Sequence, residues 1–228
     1  MSHRENILRI RVVHEALGEL NKDVIFVGGA TVSLYADRPF NEVRPTDDVD
    51  IVIELLDYRG YAAIEEILRA KGFVNDIQSG VICRYIVQGI IVDVMPTSQM
   101  VLGFANKWYP EAATNAIQLK LDDNFIVNIF PAVYFIATKL EAFKDRGEND
   151  GRFSTDFEDI VYVLNNRTSI WEEFSVASTS IYTYLKDEFK KLMDEPYIDE
   201  WISAHLDYGE QKRISYIIGN LTEFINEK

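Results

Sequence analysis

Apolar residues recur along this chain in two periods, and the change from one to the other divides it. Over residues 5–20 the positions Ile7, Leu8, Val12, Leu17 and Leu20 fall roughly on one helical face. Val24–Val27 is an unbroken apolar run ended by Gly28-Gly29, the pattern of a buried strand. A short helix is expected over Ala30–Ala36, then a polar loop over Asp37–Thr46 that contains Pro39 and Pro45. Val49–Leu55 reads as a second strand, and Tyr61–Ala70 as a helix stopped by Lys71-Gly72. Val81–Val87 and Ile90–Met95 read as a hairpin turning at Gln88-Gly89 and closed by Pro96. Residues 97–124 show no clear period. Phe125–Phe130 alternates as a strand does, and Ala132–Lys144 is a helix with Pro131 at its start. Asp145–Ser154 is a charged, glycine-containing loop. Beyond it only helical periods remain, over 156–165, about 171–192 and about 209–226. The expected class is α/β (α+β): a mixed sheet flanked by helices over residues 1–130, then a helical domain over 131–228.

Composition narrows this picture. The 228 residues suffice for one large or two small domains, and 47% apolar with 26% charged content is usual for a soluble globular chain. No run of about 18 apolar residues is present, so no membrane partner is expected. The N-terminal segment lacks the apolar core of a signal peptide, which predicts a cytoplasmic protein. Cys83 is the only cysteine, which rules out an internal disulfide and a cysteine zinc cluster. His3, His14 and His205 are scattered without ligand spacing. The formal net charge of −14 is shared equally, −7 on residues 1–150 and −7 on 151–228. Such a chain is a poor generic nucleic-acid binder, although a local basic groove for RNA stays open.

The candidate chemistry lies around the first two strands. Gly28-Gly29 removes side chains where a backbone must approach something closely, just before a helix start that favours phosphate. The plainer reading is a strand-to-helix turn. Asp48 and Asp50 are two residues apart on a strand, so their carboxylates share a face, a costly pairing unless a cation lies between them. Mg²⁺ takes carboxylate oxygens, water and substrate phosphates. The alternative is a solvated edge strand, which suits Asp47 and Glu54 better than Asp50, embedded in Val-Asp-Ile-Val-Ile. Asp93 stands alone in Gly89-Ile-Ile-Val-Asp-Val-Met-Pro96, where burial requires a partner or a metal. Lys139 sits on an otherwise apolar helix face with Val133, Ile136, Leu140 and Phe143. It needs an anion: Asp156 or Asp159 in a structural pair, or a nucleotide phosphate.

The order Gly-Gly, loop, Asp-x-Asp, then a lone Asp in an apolar strand resembles the nucleotidyltransferase fold of the polymerase-beta superfamily. Arg44-x-Thr46-x-Asp48-Val-Asp50 narrows the resemblance, as does Phe130-Pro-Ala-Val-Tyr-Phe-Ile-Ala-Thr-Lys-Leu-Glu-Ala-Phe143 followed by Arg146, Asp156 and Asp159. Over about residues 24–165 the chain resembles the AbiEii-like nucleotidyltransferases, toxin components of type IV toxin–antitoxin and abortive-infection systems. The resemblance implies an enzyme that moves a nucleoside monophosphate from an NTP to an acceptor hydroxyl. It implies Mg²⁺, or Mn²⁺ in its place, on Asp48, Asp50 and Asp93, with Asp93 as third ligand or as base. It implies nucleotide held by Gly28, Gly29, Thr31, Arg44, Thr46 and Lys139, with Asp156 completing the site and the helical domain contributing to the cleft. RNA, tRNA in particular, is the implied acceptor, and a cognate antitoxin the implied protein partner. The acidic balance points instead to a small cationic molecule of the aminoglycoside type or to a protein hydroxyl. A reading of a different class is a non-catalytic module that binds nucleotide or a partner protein.

Overall fold

The computed structural model describes residues 2–38, 42–55, 57–148 and 150–227. Residues 39–41 of the expected loop, and Asn149 of the later one, lie outside the described residues. The chain divides into two compact units, Met1–Ser33 with Glu42–Pro131, and Leu34–Asn41 with Ala132–Lys228. The first is built on a mixed sheet and the second is helical, so the α/β class with a helical C-terminal portion holds.

The sheet unit begins with α1 (Ser2–Leu17) and β1 (Val24–Val27). β2 (Asp48–Ile53), α2 (Tyr58–Ala70), the two-residue β3 (Val74–Asn75), β4 (Arg84–Val87) and β5 (Ile90–Pro96) follow. α3 (Gln99–Leu102), α4 (Tyr109–Thr114), β6 (Ile117–Asp122) and β7 (Phe125–Ile129) complete it. The strand order is β3-β4-β5-β2-β1-β7-β6. β2 pairs with β5, and β1 with β7, in parallel, and the other neighbours are antiparallel. The hairpin is present, with Gln88 and Gly89 both at positive φ (49° and 80°) as a two-residue turn of the primed type requires. Its first strand starts only at Arg84. The Arg84 N–H closes a turn onto the Val81 carbonyl at 3.2 Å, and Ile82 is exposed.

Register decides which side chains go inward. Phe26 pairs with Ile51, Ile51 with Val94, Val49 with Val92, and Val92 with Tyr85, so all lie on one face and all are buried. α1 covers this face through Ile10, Val13 and Leu17, with the His14 ring edge-on to Phe125 at 5.0 Å. Of the α1 face that the apolar spacing marked, Leu17 is buried here but Leu8 is 59% exposed, while Asn6, outside that face, is fully buried. α2 adds buried Tyr61 and Leu68, and its Glu65 accepts a hydrogen bond from the Tyr85 hydroxyl at 3.0 Å.

Residues 97–124, without a period in the sequence, hold α3, α4 and the edge strand β6, whose side chains alternate only between exposed and half-buried. The segment after Gly28-Gly29 is a 3₁₀ helix over Gly29–Tyr35 rather than an α-helix.

The helical unit comprises α5 (Ala132–Arg146), α6 (Thr155–Asn166), α7 (Ile170–Ser175), α8 (Thr179–Met193), α9 (Ile198–Ala204) and α10 (Arg213–Asn226). α5 is buried on nearly every side (Val133, Phe135, Ile136, Ala137, Leu140, Phe143), the sign of a central helix. Phe143, Phe157 and Trp201 from α5, α6 and α9 meet with ring centroids 5.3–5.9 Å apart. The single helix expected over about 171–192 is two, and α9 has no counterpart in the sequence reading. The break falls at Val176-Ala177-Ser178, where Val176 is exposed and Ser178 is extended. A Ser/Thr-rich stretch satisfies its own backbone locally and favours helix ends. Leu34–Asn41 belongs with these helices because Tyr35 packs its ring on Phe135 (4.4 Å) and Asp37 accepts from the Thr168 N–H and hydroxyl (2.9 Å each).

Candidate active site

The sheet face opposite the α1 core carries the acids. Asp50 lies across from Val27 on β1 and from Asp93 on β5, and Asp93 lies across from Arg84 on β4. Residues paired in register share a face, and Asp48 joins them two residues along β2. One row across three strands therefore reads Asp50, Asp93, Arg84, with Asp48 beside it. The Arg84 guanidinium chelates Asp93 through two hydrogen bonds, Nε to Oδ1 at 2.8 Å and Nη2 to Oδ2 at 2.7 Å. The same Nη2 is 3.6 Å from Asp48 Oδ2. Asp48 is 37% exposed at its side chain and Asp93 only 12%.

The turn beside this row is shaped by local bonds. Gly28 has φ +71°, a left-handed backbone that L side chains rarely adopt, and a Cβ there would collide with Asp50 Oδ2. Its carbonyl accepts from the Thr31 N–H (3.2 Å) and hydroxyl (2.9 Å). Thr31 is fully buried, and its side chain shapes the turn. A Cβ on Gly29 would run into the Arg44 guanidinium and into Thr46 Cγ2, so backbone and cation lie in contact. Thr46 is buried too, and its hydroxyl donates to Asn6 Oδ1 at 3.2 Å. The Thr46 N–H reaches the same oxygen at 3.4 Å, while Asn6 Nδ2 donates to the Arg44 carbonyl at 3.4 Å. Asn6 from α1 thus pins the Arg44–Thr46 segment that leads into β2.

Arg84 governs the local electrostatics. Its hydrogen bond to Asp93 raises its pKa above the ordinary arginine range against the opposing effect of burial, so its charge is permanent. Burial, followed by the Asp93 charge, pushes the Cys83 thiol up to about 11. Cys83 is therefore a neutral core thiol, as its 3% exposure suggests, and no nucleophile.

Hard oxygen donors on Asp48 and Asp50, with Gly28 clearing space against Asp50, fit a divalent cation in chemistry. Asp93 fits less simply, because Arg84 takes both of its oxygens. Among the described residues no group of three or more His, Cys, Asp or Glu is gathered closely enough to form a ready metal cage.

The other sequence-marked residues form a second cluster, in the helical unit. Lys139 Nζ lies 3.0 Å from Asp156 Oδ1 and 2.6 Å from Asp159 Oδ2. Arg146 adds two hydrogen bonds to Asp156, at 2.7 and 2.9 Å. Both aspartates are at most 2% exposed at their side chains, and Lys139 is 8% exposed. Burial is the largest influence on Lys139 and would lower its pKa, but the charges of Asp159 and Asp156 outweigh it and raise it. Burial likewise pushes Asp156 upward, and the Arg146 hydrogen bond with the Lys139 charge reverses this and holds it below the ordinary carboxylate range. Lys139 therefore makes the structural pair that the sequence allowed, and makes it with both Asp156 and Asp159.

No family model matches the chain, and no curated protein matches it. Among the described residues no helix is long and apolar enough to cross a membrane.

Sequence reading missed Arg84 and Asn6. A signal for Arg84 existed. Counting back across the Gln88-Gly89 turn pairs Val87 with Ile90 and, three residues on, Arg84 with Asp93. Asn6 gave none, since its role comes from a loop 38 residues away.

Proposed function

We propose that this protein is a divalent-cation-dependent nucleotidyltransferase, transferring a nucleoside monophosphate from an NTP to an acceptor hydroxyl. The observation that carries the reading is the row of carboxylates. Asp50 and Asp93 are register partners on parallel strands, Asp48 shares their face, and Gly28 ends the neighbouring strand against Asp50. In the reaction the acceptor oxygen bonds to the α-phosphorus, the bond from phosphorus to the bridging oxygen of pyrophosphate breaks, and pyrophosphate leaves. Asp48 and Asp50, with Asp93, would hold Mg²⁺ or Mn²⁺. The ion, when bound, neutralises phosphate charge and makes an acceptor hydroxyl more acidic. The chain's own groups then position and exchange protons: Asp93, where it is not a ligand and Arg84 releases an oxygen, would take the acceptor proton, and Arg44 over Gly29 would offer positive charge to the phosphates.

The motif order shared with AbiEii-like toxins makes RNA, tRNA above all, the first acceptor to test and an antitoxin the first protein partner. The net charge of −14 favours a cationic small molecule as the next. A second reading, a non-catalytic module that binds nucleotide, is favoured by one observation, the guanidinium seated on Asp93. The deciding experiment supplies Mg²⁺, each of four α-labelled NTPs and total cellular RNA, with Asp48→Ala/Asp50→Ala as control. Label in RNA with the wild type alone supports the enzyme and names its nucleotide. Pyrophosphate release only when an aminoglycoside or protein acceptor replaces RNA moves the acceptor. Nucleotide binding without pyrophosphate release under any of these conditions favours the module.

A further inference from the structure

We propose that Arg84 is an internal counter-cation that competes with the divalent ion for Asp93, so that the carboxylate row takes up metal efficiently only together with nucleotide. The inference rests on the nucleotidyltransferase reading and names how that site is controlled. Three carboxylates on one face repel one another. The chain relieves this with its own cation: Arg84 donates two hydrogen bonds to Asp93 and reaches Asp48 at 3.6 Å. The guanidinium comes from the strand next to Asp93, at its register partner, so backbone pairing holds it in place. With side-chain exposures of 24% and 12%, Arg84 and Asp93 are largely withdrawn from water, where a charge-assisted bidentate pair is strong.

An incoming divalent ion meets an Asp93 carboxylate already chelated by Arg84, and with it a fixed positive charge. Both weaken its binding. A nucleoside triphosphate changes the balance by adding phosphate oxygens as ligands for the ion and negative charge for Arg84 to answer. Arg84 would thus act as a positioning residue for Asp93: it holds the carboxylate in place before the metal arrives and links metal uptake to nucleotide arrival.

The test measures Mn²⁺ binding by water proton relaxation in wild type, Arg84→Met and Arg84→Lys. Each is titrated with Mn²⁺ alone and with Mn²⁺ plus the four α,β-methylene ribonucleoside triphosphate analogues. Arg84→Met is expected to bind Mn²⁺ alone about tenfold or more tighter than wild type, within the usual range for coupling between ligands. It should also lose most of the enhancement that the analogues give wild type. Arg84→Lys keeps the charge without the fork and should fall between the two, which covers the case of an Arg84→Met that does not fold. Mn²⁺ affinity unchanged or weakened in both variants overturns the inference while leaving the nucleotidyltransferase reading intact, provided wild type binds Mn²⁺ with the analogues. No Mn²⁺ binding by any of the three proteins, with or without analogues, overturns both.

Discussion

Replacing Lys139 by Met decides whether the buried lysine braces the helical unit or waits for a phosphate. Its ammonium stands between Asp156 and Asp159, whose side chains are 2% and 1% exposed. Removing one partner of a buried ion pair typically costs about 3–5 kcal/mol, because a charge is left in a poorly solvated place. Arg146 keeps its two hydrogen bonds to Asp156, so most of the loss falls on Asp159 and the lower figure, about 3 kcal/mol, applies. For a chain of this size about 1 kcal/mol lowers the melting temperature by roughly 2–4 °C, giving a fall of about 6–12 °C. Calorimetry of the wild type, Lys139→Met and Lys139→Met/Asp159→Asn reads the effect, and the double variant should recover part of it. The pH profile adds a sign. Asp156 is depressed in the folded state, so its contribution is complete above about pH 4 and lost as pH falls through the lowered value. Lys139 is raised, so its contribution is complete below about pH 10 and lost as pH rises through the raised value. The gap between wild type and Lys139→Met should therefore be flat from about pH 5 to 9 and close outside it. A Lys139→Met protein that melts within about 1 °C of wild type at pH 7 refutes the reasoning and returns the lysine to phosphate binding.

Asp50→Asn should reduce nucleotidyl transfer by about a hundredfold or more while moving the melting temperature by less than about 2 °C, since it removes a charge from a crowded acidic row. Near-wild-type turnover by this variant would remove the carboxylate row from the chemistry. Gly28→Ala meets both a positive φ and the Asp50 carboxylate. It should lose at least about 1–2 kcal/mol in urea unfolding from the backbone alone, and transfer activity along with it. An unchanged urea midpoint would mean that the turn relaxes freely. Asn6→Ala strips the buried Thr46 hydroxyl and N–H of their shared acceptor and should cost about 1–3 kcal/mol, read by the same unfolding assay. A neutral result would show that this anchor is dispensable.

Much of the fold was legible because strands, turns and helix stops are local. The Gln88-Gly89 hairpin, the strand ending at Gly28 and the helix after Pro131 depend on residues a few positions apart, and the sequence carries those relations directly. Edge elements were harder to see. β3 and β6 lie at the sheet margins, where half-exposed side chains leave no clean period, and α7 and α8 divide at a Ser-rich stretch inside one long amphipathic pattern.

The site divides the same way. That Asp48 and Asp50 share a face follows from the two-residue repeat of a strand and needs no structure. That Asp93 stands beside Asp50 does not follow, because it requires β2 and β5 to pair in parallel across a connection of more than thirty residues, a register set by core packing. Arg84 lies between these cases, since hairpin register is local but its meaning depends on Asp93 being next to Asp50. Lys139 could be read as a buried charge in need of an anion. That Asp156 and Asp159 both stand beside it was a matter of how α5 packs on α6, for the sequence states the charge of a side chain and only the packed structure states what surrounds it.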